Sequence, residues 1–181
     1  MVSNRFTERR RILKTAGLFL PAIAFPASTV FARQAPRRLS FYHTHTREKL
    51  NIVYFEDAAY RPDALDEINH LLRDFRSREI HPIDPKLLDI LYALTVQTRS
   101  EGPFQIISGY RSPETNTMLR SSTNGVAKKS LHMKGKAIDV RLTDVSLKTL
   151  HQAGLDLRCG GVGYYPSSDF VHLDTGRVHS W

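Results

Sequence analysis

The chain has little of what usually braces a small domain from outside its core. One cysteine, Cys159, occurs in 181 residues, which excludes an intrachain disulfide. Next to Gly160 and Gly161 it reads as a small apolar residue, not as a nucleophile or a metal ligand. An uninterrupted apolar run of roughly 20 residues, as a transmembrane helix requires, is also missing. The nearest approach, Ala16 to Ala32, is broken by Pro21, Pro26, Ser28 and Thr29. No Lys/Arg run is interleaved with aromatic residues, so nothing argues for nucleic acid as a partner. Internal repeats and low-complexity segments are absent as well.

What is present begins with the leader. Arg9, Arg10 and Arg11 precede Ile12-Leu13-Lys14, and the interrupted apolar run follows. A basic start, an apolar middle and small residues at the end are the layout of a signal peptide. Residues 1–32 are expected to be that signal, with cleavage after Ala32. The stretch "RRRILK" resembles the twin-arginine export signal, with Arg9 and Arg10 as the pair. That resemblance implies transport in the folded state to a bacterial envelope, the periplasm. The leader holds Arg5, Arg9, Arg10, Arg11 and Lys14 against Glu8, so half of the net charge of +8 leaves with it. The remainder is mildly basic, compatible with an acidic polymer such as cell wall, and net charge informs on association and not on fold.

Residues 33–38 read as a short tether, and one domain is expected over 39–181. "LSFYHTHT" and "LNIVYF" around Arg47-Glu48-Lys49 suggest a hairpin. "DALDEINHLLRDFR" spaces Leu65, Ile68, Leu71, Leu72 and Phe75 as on one face of a helix, with Asp63 as its N-cap. "KLLDILYALTVQT" after Pro85 predicts a deeply packed second helix. A strand from Phe104 to Ile107 is expected to end at Gly109, and Pro113 to open a helix. Further on, the pattern predicts a strand over Ala137–Leu142, a helix from about Val145 to Ala153, and strands in "GGVGYY" and "FVHLDTG". Because strands and helices do not alternate regularly, the expected fold class is α+β: a small mixed sheet with helices packed mainly on one face.

Chemistry concentrates in "SLHMKGKAIDVR". In a strand, Ile138 and Val140 share one face while Ala137, Asp139 and Arg141 share the other. The apolar pair can fill the core and Asp139 can face a cleft. On a helix, His132 and Asp139 would lie about 10 Å apart, too far to share an ion. Gly135 between two lysines argues instead for a loop that folds His132 back beside Asp139. In "DFVHLDTG" the same parity puts Phe170, His172 and Asp174 together, opposite Val171 and Leu173. If the two strands are close, His132, Asp139 and His172 supply three ligands with a fourth position open, the arrangement of a catalytic zinc site. Without that closeness they are a loop histidine and an exposed carboxylate. His43 and His45 are expected to be exposed strand histidines, and His70, His81, His151 and His179 have no partner spacing.

The pattern Ser130-x-His132-x2-Gly135-x-Ala137-x-Asp139, with "SGYRS" upstream and "FVHLDTG" and "GRVHSW" downstream, resembles the M15 family of zinc peptidases that act on bacterial cell-wall peptides. It looks closest to the envelope branch that includes murein endopeptidases, and the likeness covers nearly all of 39–181. The resemblance implies one Zn2+ per chain held by His132, Asp139 and His172, and a fold shared with D-alanyl-D-alanine peptidases and the hedgehog signalling domain. It implies Arg111 as a cationic residue at the substrate carbonyl or carboxylate; an ion pair with Glu114 is the alternative. Asp169 occupies the position of the family's general base, three residues before the last histidine. Strict alternation turns Asp169 away from His172 unless the chain bends at Ser167-Ser168, and Asp174 is the alternative, better placed to support His172 or touch substrate. The implied substrate is the peptidoglycan stem peptide, cut as a crosslink by an endopeptidase or trimmed by a carboxypeptidase. A zinc-containing module that binds cell wall without cutting it is the reading from another class.

Overall fold

A computed structural model describes residues 35–122 and 125–181. The expected signal peptide, and with it the twin-arginine stretch, lies outside the described residues. Eight strands form one open mixed sheet: β1 (Arg37–His43), β2 (Lys49–Glu56), β3 (Ala59–Tyr60), β4 (Phe104–Ser108), β5 (Ala137–Leu142), β6 (Gly161–Tyr165), β7 (Phe170–Asp174) and β8 (His179–Ser180). Their order across the sheet is β3-β2-β1-β4-β5-β7-β6-β8. The pairs β1 with β4 and β6 with β8 are parallel and the others antiparallel. Among the described residues four α-helices join the sheet: α1 (Pro62–Leu71), α2 (Pro85–Thr98), α3 (Pro113–Ser122) and α4 (Leu147–Leu157). The α+β class read from the sequence is the one found.

Period-2 alternation builds the core. Ile106, Val140 and Val171 lie side by side on neighbouring strands, as do Ile138 and Leu173, and all are buried. They meet Ile68 of α1, Leu87, Leu91 and Leu94 of α2, and Leu150 of α4 in one apolar cluster. Helices α1, α2 and α4 thus cover one sheet face. The intervening residues, Gln105, Arg141, Asp139 and His172, are left for the other face.

Several boundaries differ from the expectation. Strand β1 already begins at Arg37, whose guanidinium pairs with Asp89 at 2.7 Å and lies 4.4 Å from the Phe55 ring centroid. Helix α1 has Pro62 at its start and Arg61 as N-cap, and Arg61 holds Asp63 in the first turn at 2.8 Å. It stops at Leu71 and does not continue to Phe75, because Asp74 captures backbone groups that a helix would use. Asp74 Oδ1 accepts from the backbone N–H of Arg76 at 2.9 Å and of Ser77 at 3.4 Å, and Oδ2 accepts from Ser112 N–H at 2.9 Å. Helix α4 is shifted towards the C-terminus since Ser146 caps it, accepting from Thr149 N–H at 3.1 Å. His43 is fully buried, not exposed. Strand β1 ends there, and its Nδ1 accepts from His45 N–H at 3.2 Å and Thr46 N–H at 3.4 Å, closing the turn. Burial pushes its pKa down to about 4. Cys159 is exposed and not packed.

Asp74 ties α1 to the segment after β4. Burial opposes its charge, but donors from Thr115, Ser112 and Arg76 prevail and hold its pKa at about 2. Because this lies below the value of an unfolded aspartate, about 3.9, Asp74 adds stability that is complete above that pH and drains away as pH falls towards 2. Asp74→Ala leaves three N–H groups without their acceptor and is expected to cost about 2–3 kcal/mol, with Asp74→Asn losing less. Denaturant unfolding near neutral pH measures this, and equal stability of Asp74→Ala and wild type contradicts it.

Candidate metal centre

The centre is assembled from the pairing of β5 with β7. Asp139 lies directly opposite His172 in that ladder, and Ala137 opposite Asp174. The parity read from the sequence therefore brings one carboxylate and one imidazole together on the face away from the helices. His132 arrives from a single 3-10 turn, Leu131–Lys134, whose N-cap Ser130 accepts from His132 N–H through its side chain. Gly135 ends the turn at φ 62°, and a Cβ there would come within 2.1 Å of the Pro82 carbonyl oxygen. Only glycine allows the chain to turn back into β5 at this point.

Three donor atoms converge. His132 Nε2 lies 3.2 Å from His172 Nδ1 and 3.3 Å from Asp139 Oδ1, and His172 Nδ1 lies 2.8 Å from Asp139 Oδ1. Atoms placed about 2.1 Å from one zinc ion at tetrahedral angles are about 3.4 Å apart, so this spacing fits a single cation. The outer nitrogens support the same reading. His132 Nδ1–H is directed at the Gly109 carbonyl at 2.7 Å, and His172 Nε2–H at Asp174 Oδ2 at 3.3 Å. Acceptors on those outer nitrogens suit the tautomers that leave both inner nitrogens free for a cation shared with Asp139. Among the described residues His132, Asp139 and His172 form the group that can hold a metal ion.

The electrostatics call for positive charge here. Burial disfavours the His172 imidazolium, but Asp139 and Asp174 outweigh it and raise the pKa to about 9. Burial likewise opposes ionisation of Asp139, yet His132 and His172 hold its carboxyl well below the usual range. Asp174 is lowered too: burial opposes its charge, while His172 and the N–H groups of Gly176 and Gly161, at 2.7 and 3.0 Å, stabilise it. The Asp174 carboxylate is thus held by one histidine and two backbone N–H groups, as a support for His172.

Arg111 stands beside this cluster. The turn that carries it is held at three successive backbone N–H groups: Tyr110 to Leu72 at 2.8 Å, Arg111 to His132 at 3.2 Å, and Ser112 to Asp74. Arg111 Nη2 is 3.7 Å from Asp139 Oδ2 and 3.4 Å from Ser108 Oγ, and its buried Nε has no hydrogen-bond partner among the described residues. It points into the centre and not to Glu114, the alternative partner. Burial lowers its pKa against the opposing pull of Asp139. With the three convergent residues it lines a cleft of about 830 Å³.

Asp169 is not brought into the cluster. The chain does bend, through a 3-10 turn at Pro166–Ser168, and Asp169 follows with φ 53° and ψ 51°. Its carboxylate, however, meets Arg141 Nη1 at 2.5 Å and its side chain is 62% exposed. Two contributors escaped the sequence reading. The Gly109 carbonyl has no side-chain signature, and Trp181, which packs 5.2 Å from the His172 ring, follows a strand of only two residues. Asp174→Asn keeps the shape but weakens the support of His172, and a 10–100-fold weaker metal affinity is expected in competition titration against a chelator; unchanged affinity contradicts the support role.

Comparison with known proteins follows the geometry. The sequence profile described as peptidoglycan L,D-endopeptidase MepK matches residues 31–181. The chain is 42% identical over 176 residues to the peptidoglycan L,D-endopeptidase MepK of Escherichia coli strain K12, covering 96% of this chain and 97% of the relative. It is 38% identical over 179 residues to the probable peptidoglycan L,D-endopeptidase MepK of Haemophilus influenzae, covering 96% and 95%. The chain belongs to the peptidoglycan L,D-endopeptidase MepK family, a branch of the M15 metallopeptidases.

Proposed function

We propose that the protein is an exported, zinc-dependent murein endopeptidase that hydrolyses stem-peptide crosslinks at a bond between an L and a D centre. Its family makes it a peptidoglycan peptidase, and L,D is the specificity named for the Escherichia coli relative. The observation that carries the zinc assignment is the convergence of His132 Nε2, Asp139 Oδ1 and His172 Nδ1 in one cleft. Zinc bound by two imidazoles and a carboxylate supplies Lewis acidity that polarises a carbonyl and acidifies water.

The chain's own residues do the rest. Arg111 offers a buried guanidinium, its Nε–H without a partner among the described residues, to a substrate carbonyl or carboxylate, for which its planar fork is suited. Asp169 is our general base. Asp174, the alternative, spends its oxygens on His172, Gly161 and Gly176. Asp169 instead sits between two cleft-lining residues, Ser168 and Phe170, with Arg141 as its ion-pair partner. Released from Arg141, its carboxylate takes a proton from the attacking water and returns it to the leaving amine. Export by the twin-arginine route to the periplasm rests on Arg9, Arg10 and the apolar run that follows. Among the described residues no helix is long and apolar enough to cross a membrane.

Digestion of purified sacculi, followed by mass spectrometry of the products, tests this reading. Crosslinked muropeptides are expected to be cut, chelator to stop the cutting and zinc to restore it. Release of a terminal residue alone would mark a carboxypeptidase, and no cleavage at all a binding module. Asp169→Ala is expected to lower kcat by about 10²–10⁴-fold with zinc content unchanged; full activity of that variant removes Asp169 from the mechanism.

A further inference from the structure

We infer that Trp181, with Tyr165 and Phe170, forms an aromatic wall of the cleft that selects substrate by packing the aliphatic stem of a crosslinking diamino acid. The inference rests on the murein reading above. Trp181 is the sole tryptophan of the chain, and it is 50% exposed. A single exposed apolar side chain is common, whereas a contiguous group of them marks a recognition surface or ligand groove. Trp181 is fixed in place. Its backbone N–H donates to the Val162 carbonyl at 3.3 Å, and its carbonyl accepts from Tyr164 N–H at 3.1 Å. Its indole Nε1–H donates to Tyr165 Oη at 2.7 Å.

The ring also needs room that the sequence provides. Gly163 stands opposite His172 in the β6–β7 ladder, and a Cβ at that position would come within 2.7 Å of Trp181 Cε2. The indole therefore lies against bare backbone, beside the His172 ring at 5.2 Å and stacked on His179 at 4.7 Å. Tyr165 and Phe170 stack on each other at 4.6 Å. All three aromatic residues line the cleft together with His132, Asp139 and His172. The same lining carries the cationic side chains Arg111 and Lys129 beside the carboxylates of Asp139 and Asp174.

Such a cleft offers apolar area together with cationic groups that can bind a carboxylate. An amide crosslink between two peptides needs an amine outside either main chain, hence a diamino acid whose methylene stem spans the gap. Methylenes pack well on aromatic faces held in place beforehand, at little cost in side-chain entropy. Peptides without a crosslink lack the second stem and gain less from this wall.

The test uses the zinc-loaded full chain. Because Trp181 is the sole tryptophan, its emission in stopped-flow mixing is expected to change when crosslinked muropeptide is added, and to change far less with uncrosslinked stem peptide. Trp181→Ala is expected to raise KM for the crosslinked substrate about tenfold, with kcat within about threefold and zinc content unchanged, and Trp181→Phe to recover most of the loss. Unchanged emission together with an unchanged KM, in an enzyme that still cuts crosslinks, overturns the inference and leaves the murein reading intact. If the alanine variant loses zinc or unfolds, the wild-type emission and the phenylalanine variant still decide. A wild-type protein that cuts no muropeptide overturns the murein reading, and this inference with it.

Discussion

The structure depends on the register between β5 and β7. Side chains alternate with a period of two, so a slip of β7 by one residue against β5 would send His172 into the core and Val171 into the cleft, away from Asp139. The burial of Val140, Val171, Ile138 and Leu173 under the helices makes such a slip very costly. The same apolar packing that stabilises the sheet thus aligns the two donor groups across one ladder position. His132 joins them through a tight turn that only glycine at residue 135 can close.

Around this ladder, hydrogen bonds convert proximity into a defined site. Gly109 and Asp174 take the outer N–H groups of the two histidines, which leaves the inner nitrogens free to act as ligands. The Arg111 turn is joined to the same set, since the backbone of residue 111 binds His132 while Asp74 secures Ser112. Positioning of the arginine and of the first histidine is therefore one construction. Asp139, buried between two imidazoles and near a guanidinium, carries the negative charge that makes the site attractive to a divalent cation.

Period-2 patterning made the two central strands and their faces legible from residues alone, and Asp139 and His172 with them. The role of His132 needed the Gly135 signal and the family resemblance, because nothing in a spacing of seven says how a loop folds. What stayed hidden was carried by groups without a sequence pattern. The backbone carbonyl of Gly109 is one, and the Asp74 side chain that ends α1 by binding Ser112, 38 residues later, is another. His43 looked like a surface residue because its turn, closed by its own ring nitrogen, cannot be told from an exposed strand end. Asp169 bends as its turn residues suggest, but its choice of Arg141, 28 residues earlier in the sequence, follows from the pairing of β5 with β7.

The central claim is that these three side chains together hold one zinc ion. Metal analysis of the purified, folded protein tests it most directly, comparing wild type with Asp139→Ala. The account predicts one zinc per chain in the wild type and less than about a tenth of that in the variant, whose fold is retained by the buried valines and leucines around it. Stoichiometric zinc in Asp139→Ala would contradict it.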